Sequence, residues 1–135
     1  MNALLILFLA IDLASVKNEP NLERRSDLAL DFVHQAIDAA REAYNAGDSA
    51  KMQASLEEGG QALEISYQAL SDAVKNPRNS KSFKKAELRT RELIRRLDGL
   101  AQTVGVDDRE AVAKLRDHVA EVHDDLLKGI MSKKK

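Results

Sequence analysis

The chain lacks cysteine and tryptophan, and its 135 residues include only two prolines and six glycines. Without cysteine it has no disulfide, no thiolate nucleophile and no Cys-ligated zinc or iron–sulfur site. Aromatic residues make up only 4%, which leaves Leu, Ala, Val and Ile to fill a core. These residues favour packed helices over a sandwich of strands. The length suits a single domain.

Catalytic signatures are also missing. The sequence contains no Gly-x-Ser-x-Gly elbow, His-Glu-x-x-His pair, P-loop or Gly-x-Gly-x-x-Gly turn. Long helices joined by short turns leave few loops of the kind that usually position catalytic groups. We therefore expect a non-enzymatic protein without a cofactor, with a structural role or a role in protein binding.

The longest apolar run, ALLILFLAI, occupies residues 3–11. A membrane-spanning helix needs about 20 apolar residues, so this run predicts no membrane span. Its length matches the hydrophobic region of a signal peptide, although no Lys or Arg precedes it and no clean cleavage site follows. We predict that the protein is exported, either periplasmic or secreted. The alternative is a cytoplasmic protein in which residues 1–20 form an apolar arm and a polar linker.

From residue 21 to 131 the apolar residues recur at helical spacing. Turn and stop signals such as Gly47, Asn76–Pro77 and Gly105 divide this domain. The four predicted helices span about residues 22–46, 49–75, 82–104 and 107–131. Similar lengths and short turns predict an all-α, up-down-up-down four-helix bundle of long antiparallel amphipathic helices. Residues 132–135 form a basic tail.

Two features of the second predicted helix leave alternatives open. The stretch AYNAGDSAKMQASL, at its start, resembles the turn between the two helices of a tetratricopeptide repeat. That resemblance implies stacked helical hairpins, but such repeats recur every 34 residues, whereas the spacing here is about 55. Farther along, Gly59–Gly60 interrupts the helix. The pair predicts either a kink or the close approach of another helix.

The net charge is only −1, yet the third predicted helix and the turn that precedes it are basic. Its cations lie opposite or beside the apolar seam: Arg78, Lys81, Lys84, Lys85, Arg89, Arg91, Arg95 and Arg96. We expect most of this charge to be balanced inside the protein or to keep it soluble. The first alternative is binding of a partner protein or an anionic surface of the cell envelope. Nucleic acid is a weaker alternative, because the stripe has no aromatic residues for base stacking.

Four polar residues on the first predicted helix suggest a metal site. Asp27, Asp31, His34 and Asp38 share one helix face, and Asp31-x-x-His34 is similar to half of a ferritin-like di-iron motif. However, this face lies opposite the apolar arc, so we expect it to point towards solvent. A metal-binding bundle is therefore the last alternative, and no metal ligands are assigned.

The fourth predicted helix carries two histidines at the edges of its seam, His118 and His123. We expect both to cover the rim of the core, with a pH-sensing role for His123 as the alternative. Leu88 is expected to be exposed within the basic stripe, and Ile65 lies off the seam of its helix. These two residues are compatible with a surface on which another helix docks.

Overall fold

A computed structural model describes residues 12–132, so the apolar run at residues 3–11 and the lysines at 133–135 lie outside the described part. Within residues 12–132 all regular secondary structure is helical, which confirms the all-α class. The elements are α1 (Leu13–Lys17), α2 (Leu22–Asn45), α3 (Ser49–Ala73), a 3₁₀ turn (Pro77–Asn79), α4 (Lys81–Thr103) and α5 (Val106–Met131). None of these described helices is long and apolar enough to cross a membrane.

The ends of the long helices are set by local capping. The side chains of Asn21, Asp48 and Ser80 each accept a hydrogen bond from a backbone N–H in the first turn of α2, α3 and α4. Gly47 follows α2 with φ +78°, a conformation that suits glycine. Because these signals lie within a few residues of each helix end, the predicted boundaries agree closely with the observed ones.

The start of α5 differs slightly from the prediction. The helix begins at Val106, one residue before the predicted start, and its N-cap residue Gly105 offers no side chain for capping. Asp107 and Asp108 instead lie inside the first turn. Their carboxylates are favourable there because the free N–H groups give the helix start a partial positive charge.

The short helix α1 overlaps the predicted polar linker and packs against the core. Asp12 caps α1 by accepting a hydrogen bond from the Ser15 N–H at 2.7 Å. Val16, in the middle of α1, is 0% exposed, and α1 packs against both α2 and α3. Part of the predicted polar linker is therefore helical, and burial of Val16 stabilises its packing on the bundle.

The four long helices pack in pairs around one core. α2 packs mainly against α3, and α4 packs mainly against α5. The two pairs meet where α3 contacts α5 and α2 contacts α4. The core is almost entirely aliphatic, and its largest fully buried side chains include Ile37, Leu63, Leu97 and Leu126.

The glycine pair in α3 allows a close approach of helices. α3 runs without interruption from Ser49 to Ala73. A Cβ atom at Gly59 would lie 3.3 Å from the Cβ of Ala36 in α2 and 3.4 Å from Cδ2 of Leu115 in α5. Of the two predicted alternatives, the close approach is confirmed. At Gly59, side chains of both α2 and α5 pack against the backbone of α3.

Candidate functional site

Helix α4 carries the predicted basic stripe, and the structure divides that stripe among three faces. One face meets α2, a second meets α5, and the third points away from the rest of the protein. The apolar residues Phe83, Leu93 and Leu97 hold this orientation because they are buried in the core. The role of each cation therefore depends on the face that it occupies.

Towards α2, the cations of α4 pair with acidic residues. Lys85 Nζ lies 2.9 Å from Asp27 Oδ2. Arg89 reaches the same carboxylate at 3.3 Å through Nη1 and pairs with Asp31 through Nη2. Arg89 also donates a hydrogen bond to the backbone carbonyl of Asp27. The side chain of Arg89 is only 21% exposed, so this guanidinium joins the two helices and is poorly placed to bind a ligand.

Farther along the same face, Arg96 pairs with Asp38 and binds His34. Its Nη1 lies 3.0 Å from the Nδ1 atom of His34. The guanidinium of Arg96 can only donate hydrogen bonds, so the Nδ1 atom of His34 must be unprotonated and act as the acceptor. Burial, together with the positive charge of Arg96, lowers the pKa of His34 below its ordinary value. His34 is therefore held in the neutral form.

These contacts correct the expectation that the acidic face of the first predicted helix points towards solvent. Asp27, Asp31 and His34 are only partly exposed because the long side chains of α4 cover them. The helical wheel placed these residues correctly opposite the apolar arc. A helical wheel of one helix cannot show that the basic helix α4 packs beside this acidic face.

Towards α5, the buried Glu87 forms a cluster of hydrogen bonds with Arg91 and His123. Glu87 is 6% exposed. Its Oε2 atom accepts a hydrogen bond from Arg91 Nε at 3.0 Å and another from His123 Nε2 at 2.7 Å. Burial alone would raise the pKa of Glu87, but the hydrogen bonds from Arg91 and His123 outweigh burial and hold this pKa below its ordinary value.

Glu87 was not among the residues predicted to be important. The four-residue spacing of Glu87 and Arg91 is a signal of an ion pair on one helix face. His123 was correctly expected at the rim of the core. Its bond to Glu87 explains how a histidine is accommodated there with only 17% of its side chain exposed.

The outward face of α4 keeps the remaining cations. Lys81, Lys84 and, in the preceding turn, Arg78 form no side-chain hydrogen bond or ion pair with any residue of the described range 12–132. Among the described residues, Arg95 pairs only with Glu92 of the same helix, and both side chains are well exposed. Leu88 lies among these cations and is 57% exposed, as predicted. The outer face is thus basic with one apolar residue near its centre.

A groove of about 820 Å³ runs between α3 and α5. Its floor contains the buried Leu56 and Leu115 and the small residues Gly60 and Ala111. The charged residues that line it are Glu57, Asp107, Glu110, Lys114 and Asp117. The side chains of Glu57, Asp107 and Glu110 have no ion-pair partner within residues 12–132. The groove therefore combines an apolar floor with an acidic rim.

The part of the chain that the structure describes contains no metal site. Across residues 12–132, no three or more His, Asp or Glu side chains are grouped so that they could hold a metal ion. Asp31 and His34, the pair that is similar to half a di-iron motif, are engaged with arginines. His118 bonds to Glu64 of α3 at the edge of the groove.

The fold and these surfaces define an all-helical protein with one basic helix face and one acidic groove. Comparison of the chain with protein-family models, curated proteins and solved structures finds no match in any of the three. Function must therefore be inferred from the two surfaces.

Proposed function

We propose that this protein is a non-enzymatic, exported helical protein that binds another protein chain or serves as a structural element. The observation that carries the proposal is the groove between α3 and α5. An apolar floor between two helices, bordered by charged residues, is a common way to bind an amphipathic helix. Leu56 and Leu115 supply that floor, and Glu57 and Glu110 supply charges that select the partner.

The proposal includes the up-down-up-down order of the four long helices. Its support comes from contacts between helices. Asp27 with Lys85 and Asp38 with Arg96 are each separated by 58 residues, as expected if α2 and α4 run in the same direction. Glu87 contacts His123, whereas the later Asp98 contacts the earlier Arg116, as expected if α4 and α5 run in opposite directions.

Photo-crosslinking in the native host tests the binding role. A photoreactive amino acid replaces Gln53, which lines the groove, and in a control replaces Arg41, an exposed residue of α2. We expect a crosslinked protein adduct from position 53 and none from position 41. Equal adducts from both positions, or none from either, would contradict a specific binding role for the groove.

Export is supported by the apolar run at residues 3–11 and by the position of α1 immediately after it. Since Asp12 caps α1 and Val16 belongs to the core, cleavage just before Asp12 would remove the run and keep α1 with its cap. Mass spectrometry of the mature N-terminus is the test. A mature chain that begins between residues 10 and 12 is expected, and one that retains Met1 would contradict export through a cleaved signal.

A second candidate function is binding of an anionic surface or a nucleic acid through the outer face of α4. The unpaired side chains of Arg78, Lys81 and Lys84 favour it. Binding to phosphates releases counterions, so the affinity should fall steeply with salt. Fluorescence anisotropy with labelled DNA and RNA, and vesicle binding, at physiological salt compare the wild type with Lys84→Glu and Arg95→Glu. Unchanged binding by these variants would contradict this role.

A further inference from the structure

We propose that the groove between α3 and α5 binds the outer face of α4 from a second copy of this chain, so that copies associate head to tail. This inference rests on the proposed binding role and names the partner. Two surfaces that residues 12–132 leave uncovered carry it. One is the acidic groove, and the other is the basic outer face of α4.

The groove presents unsatisfied negative charge on both of its sides. Glu57 projects from α3, and Asp107 and Glu110 project from α5. None of these three side chains has a cationic partner within residues 12–132. Between them, Gly60 and Ala111 leave space above Leu115 because their side chains are absent or small. A helix that docks here needs an apolar residue for the floor and cations for both rims.

The outer face of α4 has this composition. Lys84, Leu88 and Arg95 lie at positions i, i+4 and i+11 of one helix and therefore share one face. Eleven residues of helix extend about 16 Å. The stretch of α5 that lines the groove, from Asp107 to His118, also covers eleven residue steps. Leu88 would reach the groove floor, and the flanking cations would face the acidic rims.

One molecule does not fill its own groove in this way. α4 packs against α2 and α5, whereas the groove lies between α3 and α5, and the outer face of α4 points away from both partners of α4. A contact between the groove of one copy and α4 of the next joins two different surfaces. Each added copy leaves one groove and one α4 face free, so the assembly grows as a chain unless it closes into a ring.

Complementary variants of the full chain test the proposal. The groove variant carries Glu57→Lys and Glu110→Lys, and the helix variant carries Lys84→Glu and Arg95→Glu. In sedimentation velocity we expect the wild type to show association that increases with concentration and weakens with salt. Each variant alone should sediment as a monomer, because every contact would join like charges. An equimolar mixture should associate again, because the intact groove of the helix variant meets the intact α4 face of the groove variant, and the reversed groove meets the reversed α4 face.

Three further measurements complete the test. A chain that carries all four substitutions should regain association, because both surfaces have reversed charge. Glu42→Lys, at an exposed position of α2, is the control and should associate as the wild type does. Circular dichroism of every variant checks that the helices are intact. A wild type that stays monomeric, or an equimolar mixture that stays monomeric, would overturn the proposal. If Gln53 crosslinks to a different protein while this chain does not self-associate, the inference fails and the proposed binding role stands.

Discussion

The buried cluster around Glu87 gives the sharpest prediction about stability. Glu87→Ala removes a carboxylate with an 8% exposed side chain that binds both Arg91 and His123. A hydrogen bond to a charged group contributes about 1.5–3 kcal/mol, and a buried polar group left without its partner is costly. The Arg91 side chain is 56% exposed and regains water, whereas that of His123 is 17% exposed and regains little. We therefore expect a loss of about 2 kcal/mol in the free energy of unfolding.

Urea unfolding followed by circular dichroism measures this loss. Glu92→Ala is the matched control, because Glu92 lies on the same helix and pairs with Arg95 at 3.2 Å while both side chains are well exposed. Exposed ion pairs contribute little, so the control should change the free energy of unfolding by less than about 0.5 kcal/mol. Similar losses for both variants would refute the idea that burial makes Glu87 important.

The pH dependence of the same variants checks the electrostatic cause. The pKa of Glu87 lies below its ordinary value in the folded protein, so the unfolded chain takes up a proton first as the pH falls. The stability contributed by ionised Glu87 is therefore complete above the ordinary pKa and is lost as the pH falls through the lowered pKa. Glu87→Gln should show a shallower loss of stability in acid than the wild type. If the stability of Glu87→Gln fell as steeply in acid as that of the wild type, the lowered pKa of Glu87 would be contradicted.

Three further predictions follow from the packing and can be measured by urea unfolding. Val16→Ala should cost about 2 kcal/mol because Val16 is 0% exposed, and an unchanged stability would show that α1 does not belong to the core. Gly59→Val should cost about 2 kcal/mol because Ala36 and Leu115 leave no room for it, whereas Gly99→Ala, with nothing within 4 Å, should stabilise by up to about 1 kcal/mol. The pKa of His34 is lowered by burial and by Arg96, so its contribution to stability should decrease as the pH falls below 6.5, and His34→Gln should remove that decrease.

Local patterns predicted the helices well because the forces that define helix ends act within a few residues. Asp48 caps α3, and Gly47 adopts the positive φ expected after a helix. The apolar seams of α4 and α5 are buried as expected, with Leu93 and Val119 at 0% exposure. The Gly59–Gly60 pair also predicted either a kink or a close approach of helices, although it did not decide between the two.

The same patterns could not predict contacts between helices that are far apart in the sequence. Arg89 meets Asp27 across 62 residues of sequence, and this contact depends on how the helix pairs stack. Helical spacing did not single out Glu87, which is buried where it meets His123 of α5. Val16 was assigned to a linker because its neighbours are polar, and only the tertiary contacts of α1 show that it is core.

The central claim is that α4 divides its cations between pairing with α2 and an outward face that is free to bind. A double-mutant cycle on Asp31→Asn and Arg89→Gln, compared with a cycle on Glu92→Gln and Arg95→Gln, tests this division most directly. Arg89 is 21% exposed, so we expect a coupling free energy of about 1 kcal/mol for the inner pair and almost none for the outer pair. Equal coupling in the two cycles, or a larger value for the outer pair, would contradict the claim.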